Sequence, residues 1–233
     1  MQTKVFARTA FLAMIVLFPI FMTLEYACAM DKSSDRIIDL PEPVLEGPMP
    51  LEQALLKRRS ERSYSDAGLS MQEISQLLWS AQGISGGRQF RTAPSAGALF
   101  PLELLVAAGV VKGLDPGIYR YIPEDHALEP KKSGDKRRDL WASALRQSPV
   151  KDAPAVFVFT AVFERTTGKY GSRGRRYVFM EAGHAAQNMC LQAAALDLGA
   201  VTIGAFDDSG VEKVLGLNEE TRPLYLIPAG KKD

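Results

Sequence analysis

The chain has 233 residues, of which 28 are basic and 27 are acidic. This near-neutral balance argues against a nucleic acid as a partner, because binding to phosphates needs a basic excess. Two histidines and two cysteines occur, with no CxxC or HExxH motif, so neither a structural nor a catalytic metal site is expected.

The N-terminal segment has the features of a secretory signal peptide. Lys4 and Arg8 precede an apolar run over residues 10–24, and the Ala-Cys-Ala stretch at 27–29 matches the small-x-small pattern that signal peptidase accepts. We expect cleavage near Ala29 and export, most simply to the periplasm. The alternative is an uncleaved membrane anchor, although the run is shorter than the ~20 residues that a span needs.

Cleavage would leave a neutral chain of about 200 residues, enough for one domain with a sizeable core. Without Lys4, Arg8 and Glu25, 26 basic and 26 acidic residues remain. One cysteine, Cys190, also remains, so no intrachain disulfide is expected. We therefore divide the chain into a signal peptide at 1–29, an extended lead-in at 30–50 and one domain at 51–233.

The first elements of the expected domain are helices. Four prolines among scattered charges predict that residues 30–50 are extended. A helix is expected over Leu51–Arg59. Ser70 and Glu73 predict a capping box at the start of a second helix, which runs through Ala81.

The middle of the chain predicts consecutive strands. Leu104–Val111 is an apolar run typical of a buried strand, and Gly117–Tyr121 alternates as a half-exposed strand does. Ala127–Pro130 could pair back on it. An amphipathic helix over Asp135–Gln147 and a strand over Ala155–Phe163 follow.

The longest predicted helix, Arg175–Leu198, is apolar on nearly every side and rich in small residues. We expect it to be buried and to let its neighbours approach closely. A strand over Ala200–Ile203, a helix over Val211–Leu215 and a strand over Leu224–Ile227 follow. Helices and strands interleave while the middle strands are consecutive, which predicts an α+β domain with a mixed sheet.

A basic cluster lies at the end of the first predicted helix. Arg58, Arg59 and Arg62 supply three guanidiniums, with the hydroxyl of Ser60 among them. A guanidinium matches phosphate oxygens with two parallel hydrogen bonds, so the cluster could hold a phosphate monoester. The alternative is a solvated basic helix end, which the helix dipole also favours.

The stretch of small residues Ala93–Ala98 could let a flat ring lie against the backbone, although an ordinary turn has the same composition. A further stretch, Thr202–Asp207, has the pattern of a strand that ends in small residues. On the long helix, Glu181, His184 and Asn188 are predicted to share a face. Buried polar groups need partners, so hydrogen-bonded core groups or subunit contacts are the expected roles there.

No G-x-G-x-x-G motif follows a predicted strand, so the sequence gives no support for a resident nicotinamide. A reduced nicotinamide could still visit as a transient electron donor.

Six stretches occur in a fixed order along the chain. They are RRSERSY (58–64), PSAGALFPLE (94–103), GIYRY (117–121), KYGSRGRRYVFMEAGHAAQN (169–188), LDLGAVTIGAFDD (196–208) and PLYLIPAG (223–230). In this order they resemble the nitroreductase family and, within it, the SagB/ThcOx branch of flavin-dependent dehydrogenases. The resemblance implies an α+β fold with a mainly antiparallel sheet flanked by helices. It also implies a homodimer, with the long buried helix at the interface and two FMN sites that both subunits form.

The resemblance also implies roles for particular residues. Those expected to contact the phosphate and ribityl chain of FMN are Arg58, Arg59, Ser60 and Arg62. Those expected to border the isoalloxazine ring are Pro94, Ser95, Ala96 and Gly97 on one side and Gly204 and Ala205 on the other. Gly230 and Lys231 lie where the family often adds a further phosphate contact.

Lys169 and Tyr170 match a pair that takes part in proton removal in azoline-oxidising members of the branch. An amine or a phenol near the flavin can act as a general base. A purely conformational role for the pair is the alternative.

The implied activity is ping-pong hydride transfer between a reduced donor, such as NAD(P)H, and a small organic acceptor, with the flavin as carrier. Two alternatives stay open. One is oxidation of thiazoline or oxazoline rings in a modified peptide, and the other is a flavin-binding protein without catalysis.

Overall fold

One antiparallel sheet organises the fold. The structure is a computed structural model that describes residues 36–87 and 90–233, and residues 37–233 form one compact unit. The predicted signal peptide at 1–29 lies outside the described residues. Within the part of the chain that is described, no helix is long and apolar enough to cross a membrane.

The described residues form nine strands. These are β1 (Ile38–Asp39), β2 (Leu69–Ser70), β3 (Leu102–Ala108), β4 (Val111–Lys112), β5 (Gly117–Ile122), β6 (Ala127–Ser133), β7 (Ala155–Val162), β8 (Leu198–Ala200) and β9 (Thr221–Lys231). Seven of them form the main sheet in the order β1-β6-β5-β3-β7-β9-β8, and every neighbouring pair is antiparallel. β2 and β4 form a separate parallel pair. The prediction of a mainly antiparallel sheet is confirmed.

Helices cover both faces of the main sheet. In the described residues they are α1 (Leu51–Lys57), α2 (Met71–Gln82), α3 (Arg137–Ser143), α4 (Ser148–Asp152), α5 (Glu164–Tyr170), α6 (Gly174–Ala195) and α7 (Asp208–Leu215). The core of one face includes residues of α2 and α6, and the core of the other includes residues of α3, α4 and α7.

The central strand β7 shows why the chain needs both layers. Its eight residues are all buried, and successive side chains of a strand point to opposite faces. Phe157 and Phe159 accordingly pack in the core with α2 and α6, whereas Val156 and Val158 pack in the core with α3, α4 and α7. A strand that is covered on both sides is apolar along almost its whole length, and the one polar side chain of β7, Thr160, donates to the Glu103 carbonyl at 3.0 Å.

The start of α2 agrees with the prediction made from the residues around Ser70. The Ser70 side chain accepts a hydrogen bond from the Glu73 backbone, and the Glu73 side chain accepts one from the Ser70 backbone. The predicted capping box is therefore confirmed. The predicted helix over Leu51–Arg59 ends earlier, at Lys57, because Arg58 has φ −55° and ψ 121° and leaves the helical conformation.

Other predicted boundaries are wrong for identifiable reasons. The helix predicted over Asp135–Gln147 is the shorter α3, which ends at Ser143, because Leu145 and Arg146 take positive φ values of 52° and 57°, and α4 begins beyond the predicted bounds, at Ser148. The strand predicted at Ala200–Ile203 is β8, which ends at Ala200, and Ile203 continues only as an isolated bridge to Leu226.

The long helix α6 buries one side against the sheet and α2. Its C-terminal end is followed by Asp197, whose φ of 56° ends the helical path. On the opposite side, Phe179 and Met180 are 53% and 51% exposed. Within one chain the helix is therefore not covered all round, and an apolar stripe faces outward.

The residues before α1 are held against the domain by hydrogen bonds. β1 pairs with β6 at the edge of the sheet. The Gln76 side chain accepts from the backbone N–H of Val44 at 2.8 Å and donates to the carbonyl of Val44 at 3.0 Å. The Ser75 hydroxyl donates to the carbonyl of Pro41 at 2.5 Å.

Candidate functional site

The basic cluster lies on a loop that is fixed to the sheet. Ser60 forms an isolated parallel bridge with Ala200 at the end of β8, and the Glu61 backbone N–H donates to the Ala200 carbonyl at 3.1 Å. The Tyr64 hydroxyl donates toward the carbonyls of Glu61 and Pro228, at 3.0 and 3.1 Å. These contacts therefore hold the loop between α1 and β2, and with it the basic cluster, at a fixed position at the edge of the sheet.

The guanidiniums of this cluster have no acidic partner. Among the described residues, Arg58, Arg59 and Arg62 form no ion pair with a carboxylate. The Arg59 side chain donates only to backbone carbonyls of the same loop region. Three guanidiniums within five residues of sequence, none of them paired with a carboxylate in the described part of the chain, are suited to an anion.

Arg58 connects this cluster to the long helix. It is half-buried and lies near the thiol of Cys190 on α6, whose pKa burial raises to about 11 while the positive charge of Arg58 acts in the opposite direction. Cys190 is thus a buried neutral thiol.

Gly230 and Lys231 have other contacts in the fold. A β-carbon built on Gly230 would lie 2.6 Å from Pro154 Cδ and 3.1 Å from Tyr64 Cδ1, so the glycine lets these side chains pack against β9. The Lys231 ammonium is paired with Glu73. Burial acts to raise the pKa of Glu73, but hydrogen bonds from Lys231 and Ser70 outweigh it and hold the pKa below its usual value. A phosphate contact from Gly230 or Lys231 stays a prediction.

A second part of the site follows β8. Ile203 exchanges two backbone hydrogen bonds with Leu226, at 2.8 and 2.9 Å, and this pairing sets the position of Gly204 and Ala205. Gly204 borders a groove of about 570 Å³ that is also lined by Phe163, Phe179, Ala182 and Tyr225. A β-carbon on Gly204 would approach only the Tyr225 ring, at 3.6 Å, so the backbone there is open to the groove.

A third part is the turn at Pro94–Gly97. Ala96–Ala98 form a single 3₁₀ turn, within which Gly97 has φ 66°. The backbone N–H of Phe100 donates to the Ser95 hydroxyl at 2.9 Å and closes the turn.

The structure brings the predicted Lys-Tyr pair to this turn. A β-carbon on Gly97 would lie 2.8 Å from the Tyr170 hydroxyl oxygen and 3.1 Å from Lys169 Nζ. The Tyr170 ring is itself held edge-on against Tyr177 of α6, at 5.2 Å between ring centroids and an interplanar angle of 88°. Both residues of the pair therefore lie at the turn expected to border the flavin ring.

The helix that carries this pair, α5, was missed by the sequence analysis. Of its seven residues, only Thr166 is buried. No apolar stripe at helical spacing marks it, so periodicity could not have found it.

Two polar residues of α6 hold the segment that leads into the turn. Asn188 Nδ2 donates to the Thr92 carbonyl at 3.1 Å. Glu181 is buried, and burial raises its pKa to about 7 against the opposing effect of the nearby Ser95 side chain. The predicted role as a hydrogen-bonded core group fits Asn188, whereas Glu181 Oε1 has no hydrogen-bond partner among the described residues and His184, predicted on the same face, is exposed.

The model of the Nitroreductase family matches residues 55–231 of this sequence. The match spans the basic cluster, the turn, the Lys-Tyr pair and the groove. The chain belongs to the nitroreductase family. It is therefore an oxidoreductase of a family that typically binds flavin and is commonly dimeric.

Similar proteins agree with this membership. A protein of Methanocaldococcus jannaschii that is designated a nitroreductase is 44% identical over 182 residues, which cover 78% of this chain and 91% of the relative. The microcin B17-processing protein McbC of Escherichia coli is 30% identical over 159 residues, which cover 66% of this chain and 58% of McbC.

A crystal structure from Ralstonia eutropha, also designated a nitroreductase, superimposes with a TM-score of 0.74 at 30% identity. The superposition covers 86% of this chain and 91% of that one. The predicted nitroreductase-like fold is confirmed.

Proposed function

We propose that the protein binds FMN and transfers hydride from a reduced donor to a small organic acceptor. The observation that carries this proposal is the uncompensated cluster at Arg58, Arg59 and Arg62, fixed on the sheet edge within a nitroreductase-family fold. A phosphate monoester is the ligand that this cluster suits best, and FMN carries one.

The remaining predicted contacts fit a flat ring. Gly204 presents backbone without a side chain and opens onto a groove with aromatic walls, whereas the side of Gly97 where a β-carbon would stand is occupied by Tyr170 and Lys169. When it is bound, the flavin supplies the redox chemistry, and the protein supplies position and electrostatics. In this proposal Arg58, Arg59, Ser60 and Arg62 hold the phosphate and ribityl chain, while Pro94, Ser95, Ala96, Gly97, Gly204 and Ala205 border the ring.

Two chains are proposed to form each site. The helix α5 begins beside Phe163, which lines the groove with Gly204, and ends at Tyr170 against Gly97. Seven helical residues span about 10 Å, so the two backbones that meet the ring are set apart within one chain. The exposed stripe at Phe179 and Met180 gives a second copy an apolar surface to cover.

A dehydrogenase acting on azoline rings in a modified peptide is the second candidate. It is favoured by the similarity to McbC, a microcin B17-processing protein, and by the contact of Lys169 and Tyr170 with the turn. Oxidation of such a ring requires removal of a proton from carbon, and an amine or a phenol in this place can accept one.

The N-terminal segment supports a further part of the proposal, namely synthesis as an exported precursor. N-terminal sequencing of the protein isolated from its source would test it. A mature chain that begins near Met30 is expected, and a retained Met1 would contradict cleavage.

The candidates can be distinguished by turnover of the FMN-loaded protein. Nitroaromatics or quinones with NADH or NADPH test the first, and an azoline-containing peptide with an electron acceptor tests the second. Turnover of the first kind alone supports a small acceptor, and turnover of the second kind alone supports the peptide dehydrogenase. An FMN-loaded protein without turnover in either assay would contradict the enzymatic proposal and favour a flavin-binding role.

A further inference from the structure

Two side chains of helix α6 lie against the segment Thr92–Ser95, which leads into the turn. Asn188 donates to the Thr92 carbonyl at 3.1 Å, and the buried Glu181 carboxyl lies close enough to the Ser95 side chain for Ser95 to lower its pKa. Seven helical residues rise about 10.5 Å, and three residues of extended chain span about 10 Å. Because these lengths match, the two side chains can hold Thr92 and Ser95 from one face of the helix.

The Ser95 hydroxyl has a limited number of hydrogen bonds to make. It can donate one and accept two, and it already accepts the Phe100 backbone N–H at 2.9 Å. If Glu181 is ionised, the Ser95 hydrogen is donated to its carboxylate. If Glu181 is protonated, its own hydrogen can be donated to Ser95, which leaves the Ser95 hydrogen free for another acceptor.

The surroundings of Glu181 favour its protonated form to an unusual degree. The residue is 2% exposed, and its Oε1 atom has no hydrogen-bond partner among the described residues. A buried charged oxygen without a partner is costly. Burial accordingly raises the pKa of Glu181 to about 7, against the opposing effects of Ser95 and Arg91.

Other charged and titratable groups lie near the turn, including Arg165 of α5, which donates to the Phe100 carbonyl at 3.2 Å and pairs with Glu103. Arg91 lies on the segment before it, with its guanidinium bonded to Glu124 at 2.5 Å and to the Gln82 carbonyl at 3.1 Å. Lys169 and Tyr170 of α5 contact the turn at Gly97. Within α6 itself, Tyr177 packs on Tyr170, and His184 is exposed. On α2, which packs against α6, the buried polar residue Gln82 is uncharged.

We propose that Glu181 is a positioning residue that decides whether the Ser95 hydroxyl hydrogen is held by α6 or donated to the ring bound against the turn. The inference rests on the proposed FMN site, because Ser95 belongs to the turn that would border the isoalloxazine. Glu181 acts through Ser95 and does not itself touch the ring. One proton then changes the hydrogen bonding offered to the cofactor without moving the backbone.

The first test uses the visible absorption and circular dichroism of the FMN-loaded protein between about pH 5 and 9. The parent protein should show a one-proton spectral transition near pH 7. Glu181→Gln and Ser95→Ala should each abolish it, since one removes the titrating group and the other the hydroxyl that transmits its state. His184→Asn should retain it, because that side chain is exposed to solvent. A transition that survives in Glu181→Gln, or none in the parent, would overturn the proposal.

A separate variant tests whether general destabilisation of α6 would by itself remove the spectral transition. Met189 is fully buried on the same helix, so Met189→Ala should lower the melting temperature without touching Ser95. The transition should persist in Met189→Ala. Its loss there would show that any disturbance of α6 removes it and would overturn the specific role of Glu181.

A second readout does not need flavin. A carboxyl whose pKa is higher in the folded than in the unfolded state stabilises the fold most at low pH, and this contribution is lost as the pH rises through the folded value. Without flavin, the melting temperature of the parent minus that of Glu181→Gln should therefore decrease as the pH is raised from about 5 to 8. A constant difference would overturn the proposal. If that difference decreases but the protein binds no FMN, the raised pKa of Glu181 in the folded state is supported and the proposed function is contradicted.

Discussion

The hydroxyl of Tyr170 lies directly against the α-carbon of Gly97: a β-carbon placed on the glycine would be 2.8 Å from the hydroxyl oxygen. The same β-carbon would be 3.1 Å from Lys169 Nζ, and Gly97 has the positive φ of 66° that side chains disfavour. Contact and backbone conformation thus both require glycine here. The relationship joins the turn before β3 to the end of α5.

Gly97→Ala should therefore be more harmful than an ordinary glycine substitution. Left-handed backbone strain of about 1–2 kcal/mol is expected at either site, and at Gly97 displacement of Tyr170 is added. Gly134→Ala is the matched control, because Gly134 also has positive φ but nothing within 4 Å of the added carbon. Melting temperature and flavin affinity measure the difference. Equal effects of both substitutions would contradict the close contact with Tyr170.

Lys169→Ala and Tyr170→Phe should slow an oxidation that needs proton removal from carbon by about 10²–10⁴-fold, the usual size of a general-base contribution. FMN occupancy should be retained. Reduction of quinones or nitro compounds should change much less, because water can supply those protons. Steady-state kinetics of both reactions on one preparation measure the contrast. Equal loss in both, together with loss of flavin, would show that the pair is structural, and no loss in either would remove it from the mechanism.

Arg58→Ala and Arg62→Ala should each weaken FMN binding about ten- to hundredfold, because a charge-assisted hydrogen bond is worth roughly 1.5–3 kcal/mol. Quenching of flavin fluorescence during titration measures the dissociation constant. Arg138→Ala removes an exposed arginine of α3 and should leave the constant unchanged. Parent-like affinity in both cluster variants would place the phosphate elsewhere.

The exposed stripe of α6 should be covered by a second chain. Met180→Lys should convert a dimer into monomers and release FMN, since a buried unpaired charge is costly at an interface. Light scattering measures the particle mass. Leu145→Lys alters a leucine that is exposed on the α3–α4 connection and should keep the dimer. A parent protein that is monomeric while retaining FMN would refute the two-chain site.

Features that depend on neighbouring residues were predictable from the sequence. The capping box needs only Ser70 and Glu73, which are three residues apart, and both of its hydrogen bonds form. The apolar run of β7 and the small residues of α6 also predicted their elements, because burial on several sides leaves a continuous apolar pattern. The order of motifs predicted the family, which no single motif could do.

Features that arise from contacts between distant segments were not predictable. The pairing of Lys231 with Glu73 joins residues 158 positions apart, so the sequence could not show it, and the phosphate contact that the resemblance implies for Lys231 stays a prediction. Glu181 is polar, and only the fold shows that it is buried near Ser95. The break between α3 and α4 depends on positive φ at Leu145 and Arg146, residues whose types favour continuing a helix.

The central claim is tested most directly by the flavin content of the chain. Protein spanning residues 30–233 would be incubated with FMN, separated from free flavin by gel filtration, and denatured to quantify what it releases. We expect about one FMN per chain, with a visible spectrum that dithionite bleaches. A correctly folded protein that emerges without flavin after this treatment would contradict the proposal that this nitroreductase-family chain is an FMN-dependent oxidoreductase.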